Sequence, residues 1–141
     1  MALRSAHAQW DGTLREGKGT FAGASGMVSG AYDFGSRFGV TAGTNPEELI
    51  GAAHAACFSM AFAAGLERAG FPSTTVKTNA DVTIEKVNDA FRVTSIKLTC
   101  RAQVAKIDAD AFAKAAEDAK NGCPISNALS AVPITLDAAL V

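Results

Sequence analysis

The stretch Thr44-Asn45-Pro46-Glu47-Glu48-Leu49-Ile50-Gly51-Ala52-Ala53-His54-Ala55-Ala56-Cys57-Phe58-Ser59-Met60-Ala61-Phe62 decides the fold. Asn45 suits the N-cap and Pro46 the first helical position, while Glu47 and Glu48 bring carboxylates to the positive end of the helix dipole. The pattern predicts a helix running to about Ala69, stopped by Gly70 with Pro72 just beyond. It is apolar nearly all round, so burial on most of its sides is expected. Cys57 lies in the middle of this helix, where a lone thiol is either core filler or a nucleophile. A second cysteine, Cys123, stands at the helix-breaking Cys123-Pro124 step, which opens the possibility of a redox pair.

Outward from this helix the chain alternates strands and helices. Toward the N-terminus, Ala8-Gln9-Trp10, Gly19-Thr20-Phe21 and Ala31-Tyr32-Asp33-Phe34 are strand-like pieces. The turn formers Asp11-Gly12, Glu16-Gly17 and Ser25-Gly26 separate them, giving an antiparallel meander. Toward the C-terminus, Val76, Thr78, Ala80, Val82 and Ile84 share one strand face, and Thr94, Ile96, Leu98, Cys100, Ala102 and Val104 share another. Alternation with a period of two is expected where only one sheet face is covered. Cys100 is thereby a core residue. Asp108 caps a helix to about Asn121, ended by Gly122 and Pro124; a turn at 125–130 and a strand near 132–140 follow. The class is α+β, with helices gathered against one side of a sheet.

With 141 residues, 48% hydrophobic and 19% charged, the chain reads as one globular domain over residues 1–141. Thirteen basic and 14 acidic residues leave a net charge of −1 with no basic cluster, which excludes an electrostatic nucleic-acid partner. The N-terminal residues do not resemble a signal peptide. The apolar run 49–64, interrupted by His54 and Ser59, is expected to be too short for a membrane span. Three cysteines are too few and of the wrong parity for a secreted disulfide scaffold, so a reducing, cytoplasmic setting is expected.

A free thiol near pKa 8.5 is only about 3% thiolate at pH 7, and the thiolate is the nucleophile. Cys57 lies beyond the reach of the helix N-terminus, and apolar surroundings raise a thiol pKa further. A reactive Cys57 therefore needs a cation brought from another segment. Arginine suits best, itself held by a carboxylate. Glu47 and Glu48 are candidates, but ten residues of straight helix is about 15 Å of rise. Either the helix is interrupted, or the carboxylate comes from another copy of the chain. His54, one turn before Cys57, is a candidate base or a satisfied core histidine. No second cluster completes a metal site with His54 and Cys57.

The central stretch resembles the signature of the OsmC/Ohr family, and its Ala-Ala-His-Ala-Ala-Cys version resembles the OsmC branch. Gly122-Cys123-Pro124-Ile125-Ser126 is similar to the family's second motif and Ser36-Arg37-Phe38 to its arginine segment. Trp10-Asp11-Gly12 through Gly17-Lys18-Gly19-Thr20 also fits. The resemblance implies an intertwined homodimer with antiparallel sheets packed around long central helices and two active sites at the subunit interface. It implies a thiol-dependent peroxidase of organic hydroperoxides, acting in oxidative or osmotic stress defence. Carried over by motif, Cys57 is the peroxidatic and Cys123 the resolving cysteine; Arg37 activates and Glu47 pairs with it. Phe58, Met60 and Phe62 are expected to line an apolar substrate site. No cofactor or metal is implied; an external thiol, or a dihydrolipoyl group on a lipoylated protein, is the implied reductant. The competing expectations are a non-enzymatic apolar-ligand or thiol-sensor protein, and a disulfide that merely braces the fold by about 4 kcal/mol.

Overall fold

Glycine-punctuated strands build the first of two units in the computed structural model, which describes residues 1–141 as Met1–Leu49 and Ile50–Val141. Strands β1 (Ala6–Asp11), β2 (Lys18–Gly23) and β3 (Ser29–Asp33) form an antiparallel sheet in that order. Gly19 pairs with both Trp10 and Tyr32, and a Cβ there would run into both rings. Its absence lets the two rings pack with centroids 5.5 Å apart.

The meander ends in a one-turn helix, α1 (Phe34–Phe38), where the sequence reads as strand up to Phe34. Asp33 caps it: its Oδ1 accepts from the Ser36 N–H at 2.7 Å, and Ser36 Oγ accepts from the Asp33 N–H at 3.0 Å. This is a capping box with serine in the position usually held by Glu or Gln, so the motif is easily overlooked.

Helix α2 (Pro46–Arg68) begins as expected, with Asn45 Oδ1 accepting from the Glu48 N–H at 2.8 Å. It closes in a Schellman motif: the Phe71 N–H reaches Leu66 O at 2.9 Å and the Gly70 N–H reaches Glu67 O at 3.0 Å. Gly70 has φ +84°, the left-handed value that glycine adopts without penalty. The helix is unbroken over its 23 residues, so an interruption between Glu47 and Cys57 is excluded.

In the second unit, β4 (Ser73–Val87) and β5 (Ala90–Val104) form a long hairpin. Asn88 and Asp89 turn it with φ of 49° and 64°, as a two-residue primed turn requires. After α3 (Ala109–Gly122) and α4 (Pro124–Ala128), β6 (Ile134–Leu140) joins the other edge of β5 in parallel. The sheet is therefore mixed, not wholly antiparallel. Ile96, Leu98, Cys100 and Ala102 form the buried face of β5. They meet Phe58, Phe62 and Leu66 of α2 and Phe112, Ala116 and Ala119 of α3. Phe62 sets its ring edge-on to Phe112 at 5.3 Å. Gly51 lets α2 approach β4: a Cβ would lie 3.0 Å from Ala80 O. Ser59 Oγ donates to Thr78 Oγ1 at 2.7 Å and pins the same contact.

Phe62→Ala is expected to destabilise by about 3–5 kcal/mol, because a fully buried ring leaves a cavity. Urea unfolding measures this; a loss below about 1 kcal/mol would contradict the packing described.

The sequence predicts a helix covered on most sides. Within one chain only 28% of the apolar window of α2 is buried. The core takes one stripe, His54, Phe58, Phe62 and Leu66, at a spacing of four. Ala52, Ala53, Ala56 and Met60 are left exposed. At 23 residues, with mean hydropathy 1.7 over an 18-residue window, α2 also has the length and composition of a membrane span, which the shorter run 49–64 did not reveal. Its buried stripe, however, faces protein and carries a histidine.

Candidate active site

Two free thiols meet where α2 passes the junction of α3 and α4. Cys57 sits beside the buried stripe of α2 and is half-buried. Cys123 is wholly buried between two helices, in extended conformation with φ −67° and ψ 122°. Pro124 dictates this bend, since the residue before proline is driven out of the helical region. The bend ends α3, starts α4 with proline at its first turn, and turns the Cys123 sulfur toward Cys57, with which it shares a hydrogen bond.

The two thiols are not equivalent. Burial, and then the hydrogen bond with Cys123, pushes the Cys57 thiol up; the Ile125 N–H opposes this only in part. Burial alone would also push Cys123 up. The Ser126 N–H, the Cys57 thiol, the Ser126 hydroxyl and the Ile125 N–H together outweigh it, and Cys123 lies below the ordinary thiol value. Within its own unit, then, the pair carries charge more readily on Cys123, and no cation is among the groups that shift Cys57. Cys100 is buried in the core, where desolvation holds its thiol up. It takes no part in the pair.

Behind Cys123 lies a buried polar contact. His54 is fully buried, and its Nε2 lies 2.8 Å from Ser126 Oγ, while its Nδ1 has no partner. Burial lowers the His54 pKa below the ordinary imidazole value. The unfolded chain therefore takes up the proton first as pH falls. Stability should be full above about pH 6.5 and decline as pH drops below it. Thermal melts between pH 8 and 5 test this, and His54→Phe should flatten the decline.

In the first unit, Arg37 at the end of α1 holds Glu47 in a forked pair. Arg37 Nη2 donates to Oε1 at 2.7 Å and Nε lies 3.2 Å from each carboxylate oxygen. Glu47 is 7% exposed, and the guanidinium offsets the burial of its carboxylate. The Arg37 guanidinium carbon also stands 5.0 Å from the Phe38 ring centroid.

A cavity of about 750 Å³ opens between α2 and α3, with Cys57 at one end beside Pro124 and Arg68 at the other. Met60, Ala61 and Ala64 form its apolar wall. Phe58 and Phe62 do not line it. Helical periodicity turns them into the core with His54 and Leu66, and both are fully buried. Met60 is 74% exposed and open to the cavity. No three His, Cys, Asp or Glu side chains converge as a metal site. Ser126 had no assigned role in the sequence. Its signal was its position three residues after Cys123, the spacing that brings a side chain back by one helical turn.

An α+β fold that brings two unlinked cysteines together at a proline-broken helix junction defines a thiol-redox protein. Residues 39–137 match the OsmC-like protein family, and the chain belongs to it. It is 47% identical over 135 residues, 95% of this chain and 94% of the relative, to Peroxiredoxin OsmC of Escherichia coli strain K12. An organic hydroperoxide resistance protein from Elizabethkingia anophelis shares the fold at TM-score 0.78 and 22% identity, over 99% of both chains. An OsmC-like protein from Mycoplasma pneumoniae does so at TM-score 0.76 and 15% identity, over 99% of this chain and 98% of that one.

Proposed function

We propose that this chain reduces organic hydroperoxides to alcohols through a two-cysteine cycle. It is a thiol-dependent, cysteine-based peroxidase that acts on a peroxide and is restored by a thiol. The single observation that carries this is a pair of free thiols close enough to shift one another, with Cys57 at the end of an apolar cavity. The chain's identity to a curated peroxiredoxin supports it. Cys57 is the peroxidatic cysteine. Its thiolate attacks one peroxide oxygen, the O–O bond breaks, and the alkoxide leaves and takes up a proton as alcohol. Cys57 becomes a sulfenic acid. The Cys123 thiolate then attacks that sulfur, the S–O bond breaks, and a disulfide and water result. An external dithiol, for which a dihydrolipoyl group is the proposed source, restores both thiols by exchange.

Arg37 supplies the cation that Cys57 lacks, and Glu47 holds its guanidinium in plane. Because α2 is unbroken, the Arg37–Glu47 pair serving a given Cys57 is assigned to a second copy of the chain. The exposed Ala52, Ala53, Ala56 and Met60 offer the apolar surface such a homodimer would cover. Met60 and Ala61 favour an alkyl substituent over hydrogen peroxide. The setting is a reducing cytoplasm, where the Cys57–Cys123 disulfide is transient.

Titration of reduced protein with cumene hydroperoxide should consume two thiols per peroxide, and faster than with hydrogen peroxide. Cys123→Ser should still consume one equivalent but stop at the sulfenic acid. If cumene hydroperoxide left the thiol count unchanged, the proposal would fail.

A further inference from the structure

The geometry points to His54 as a positioning residue for the resolving step: it holds the Ser126 hydroxyl in the orientation that donates a hydrogen bond to the Cys123 sulfur. The inference rests on the assignment of Cys57 and Cys123 above and adds residues to it. His54 Nε2 is 2.8 Å from Ser126 Oγ, and both side chains are withdrawn from water, with exposures of 0% and 6%. The contact joins α2 to α4 over 72 residues of chain, so it is no accident of local helix geometry.

The unpartnered Nδ1 determines the direction of the contact. A buried N–H without an acceptor is the rarer and costlier defect, whereas an orphaned acceptor lone pair is tolerated more often. The proton therefore belongs on Nε2, which donates to Ser126 Oγ and leaves Nδ1 as the bare lone pair. Cys123 is the N-cap of α4 and Ser126 stands in the first turn of that helix; its Oγ, having accepted one hydrogen bond, has its own hydrogen left for the Cys123 sulfur, the interaction that helps lower that thiol. Donors in series polarise one another, and both point at the atom that must carry negative charge. Because burial keeps the imidazole neutral, this orientation persists through the physiological range. The titratable groups facing Cys123 are the Cys57 thiol directly and His54 through Ser126; the N–H groups of Ser126 and Ile125 add fixed dipoles.

The chemical consequence falls on the second step of the cycle. The Cys123 thiolate donates an electron pair to the Cys57 sulfenic sulfur. The S–S bond forms and the S–O bond breaks, so Cys123 is oxidised and Cys57 reduced. The hydroxide leaves, and the proton that Cys123 gave up completes the water. A donor held at Cys123 keeps it ionised until that attack and limits the time Cys57 spends as a sulfenic acid exposed to further peroxide.

The test compares Ser126→Ala, His54→Phe and His54→Gln, the last placing an amide N–H near the position of Nε2. One reading is the rate of disulfide formation divided by the rate of first hydroperoxide consumption in stopped flow. Loss of one hydrogen bond to a charged sulfur should lower this ratio about tenfold in Ser126→Ala and His54→Phe. His54→Gln should recover most of it. The other reading is the pH midpoint of thiolate absorbance for Cys123 in a Cys57→Ser background, which should rise by about one unit in Ser126→Ala. A merely structural role would not move that midpoint. An unchanged ratio and midpoint in Ser126→Ala, a substitution too small to unfold the chain, would overturn the inference even if His54→Phe proved unstable. Peroxide consumption by Cys57→Ser protein would instead refute the underlying assignment, so that variant is run alongside.

Discussion

Cys57→Ser should lower hydroperoxide turnover by about a thousandfold or more, because neither of the other two thiols opens onto the cavity. Cys123 is buried and faces Cys57, not the open cavity, and Cys100 lies in the core. Serine keeps the size of the side chain and leaves the fold intact, so circular dichroism should match wild type. The measurement is consumption of cumene hydroperoxide with excess dithiol. Retention of even a tenth of the activity would place the chemistry on another residue. The same variant separates the peroxidase from the sensor and ligand-binding alternatives, neither of which requires sustained turnover.

Arg37→Met should lower the rate of the first step by about a hundredfold. The variant removes the charge proposed to favour the Cys57 thiolate, and it strands Glu47, only 7% exposed, without its forked partner. Arg37→Lys keeps a charge but loses the planar fork, and should recover only part of the rate. If the pair acts across two copies, mixing Arg37→Met and Cys57→Ser chains should restore activity that neither has alone. Random exchange makes half the dimers mixed, each with one complete site, so about a quarter of wild-type activity is expected. No recovery after verified subunit exchange would confine the site to one chain.

Much of the architecture was legible because it follows from short-range physics. Asn45-Pro46 at the start of α2 and Gly70 at its end act through local caps, and the alternation along β4 and β5 follows from the pleat. What escaped notice, α1 apart, depended on neighbours far along the chain. The parallel pairing of β6 with β5 requires a crossover that no local pattern encodes. The one-turn helix α1 turned on an Asp33–Ser36 capping box with an unusual second member. Phe58 and Phe62 read as apolar neighbours of Cys57; only the face presented to the sheet told core from cavity.

Sequence alone determined which atoms are available for chemistry: a helix-borne thiol, a second thiol bent by Pro124, and an arginine with a carboxylate to hold it. It did so because residue type dictates nucleophilicity and charge, and proline and glycine dictate local backbone. Tertiary structure decided which of these groups meet. The contact of Cys123 with Cys57, and of His54 with Ser126 across 72 residues, arises because burying the α2 stripe against β5 and α3 fixes where the α3–α4 junction lies. Apolar packing is non-directional, so its outcome is set by the whole core and not by any one segment.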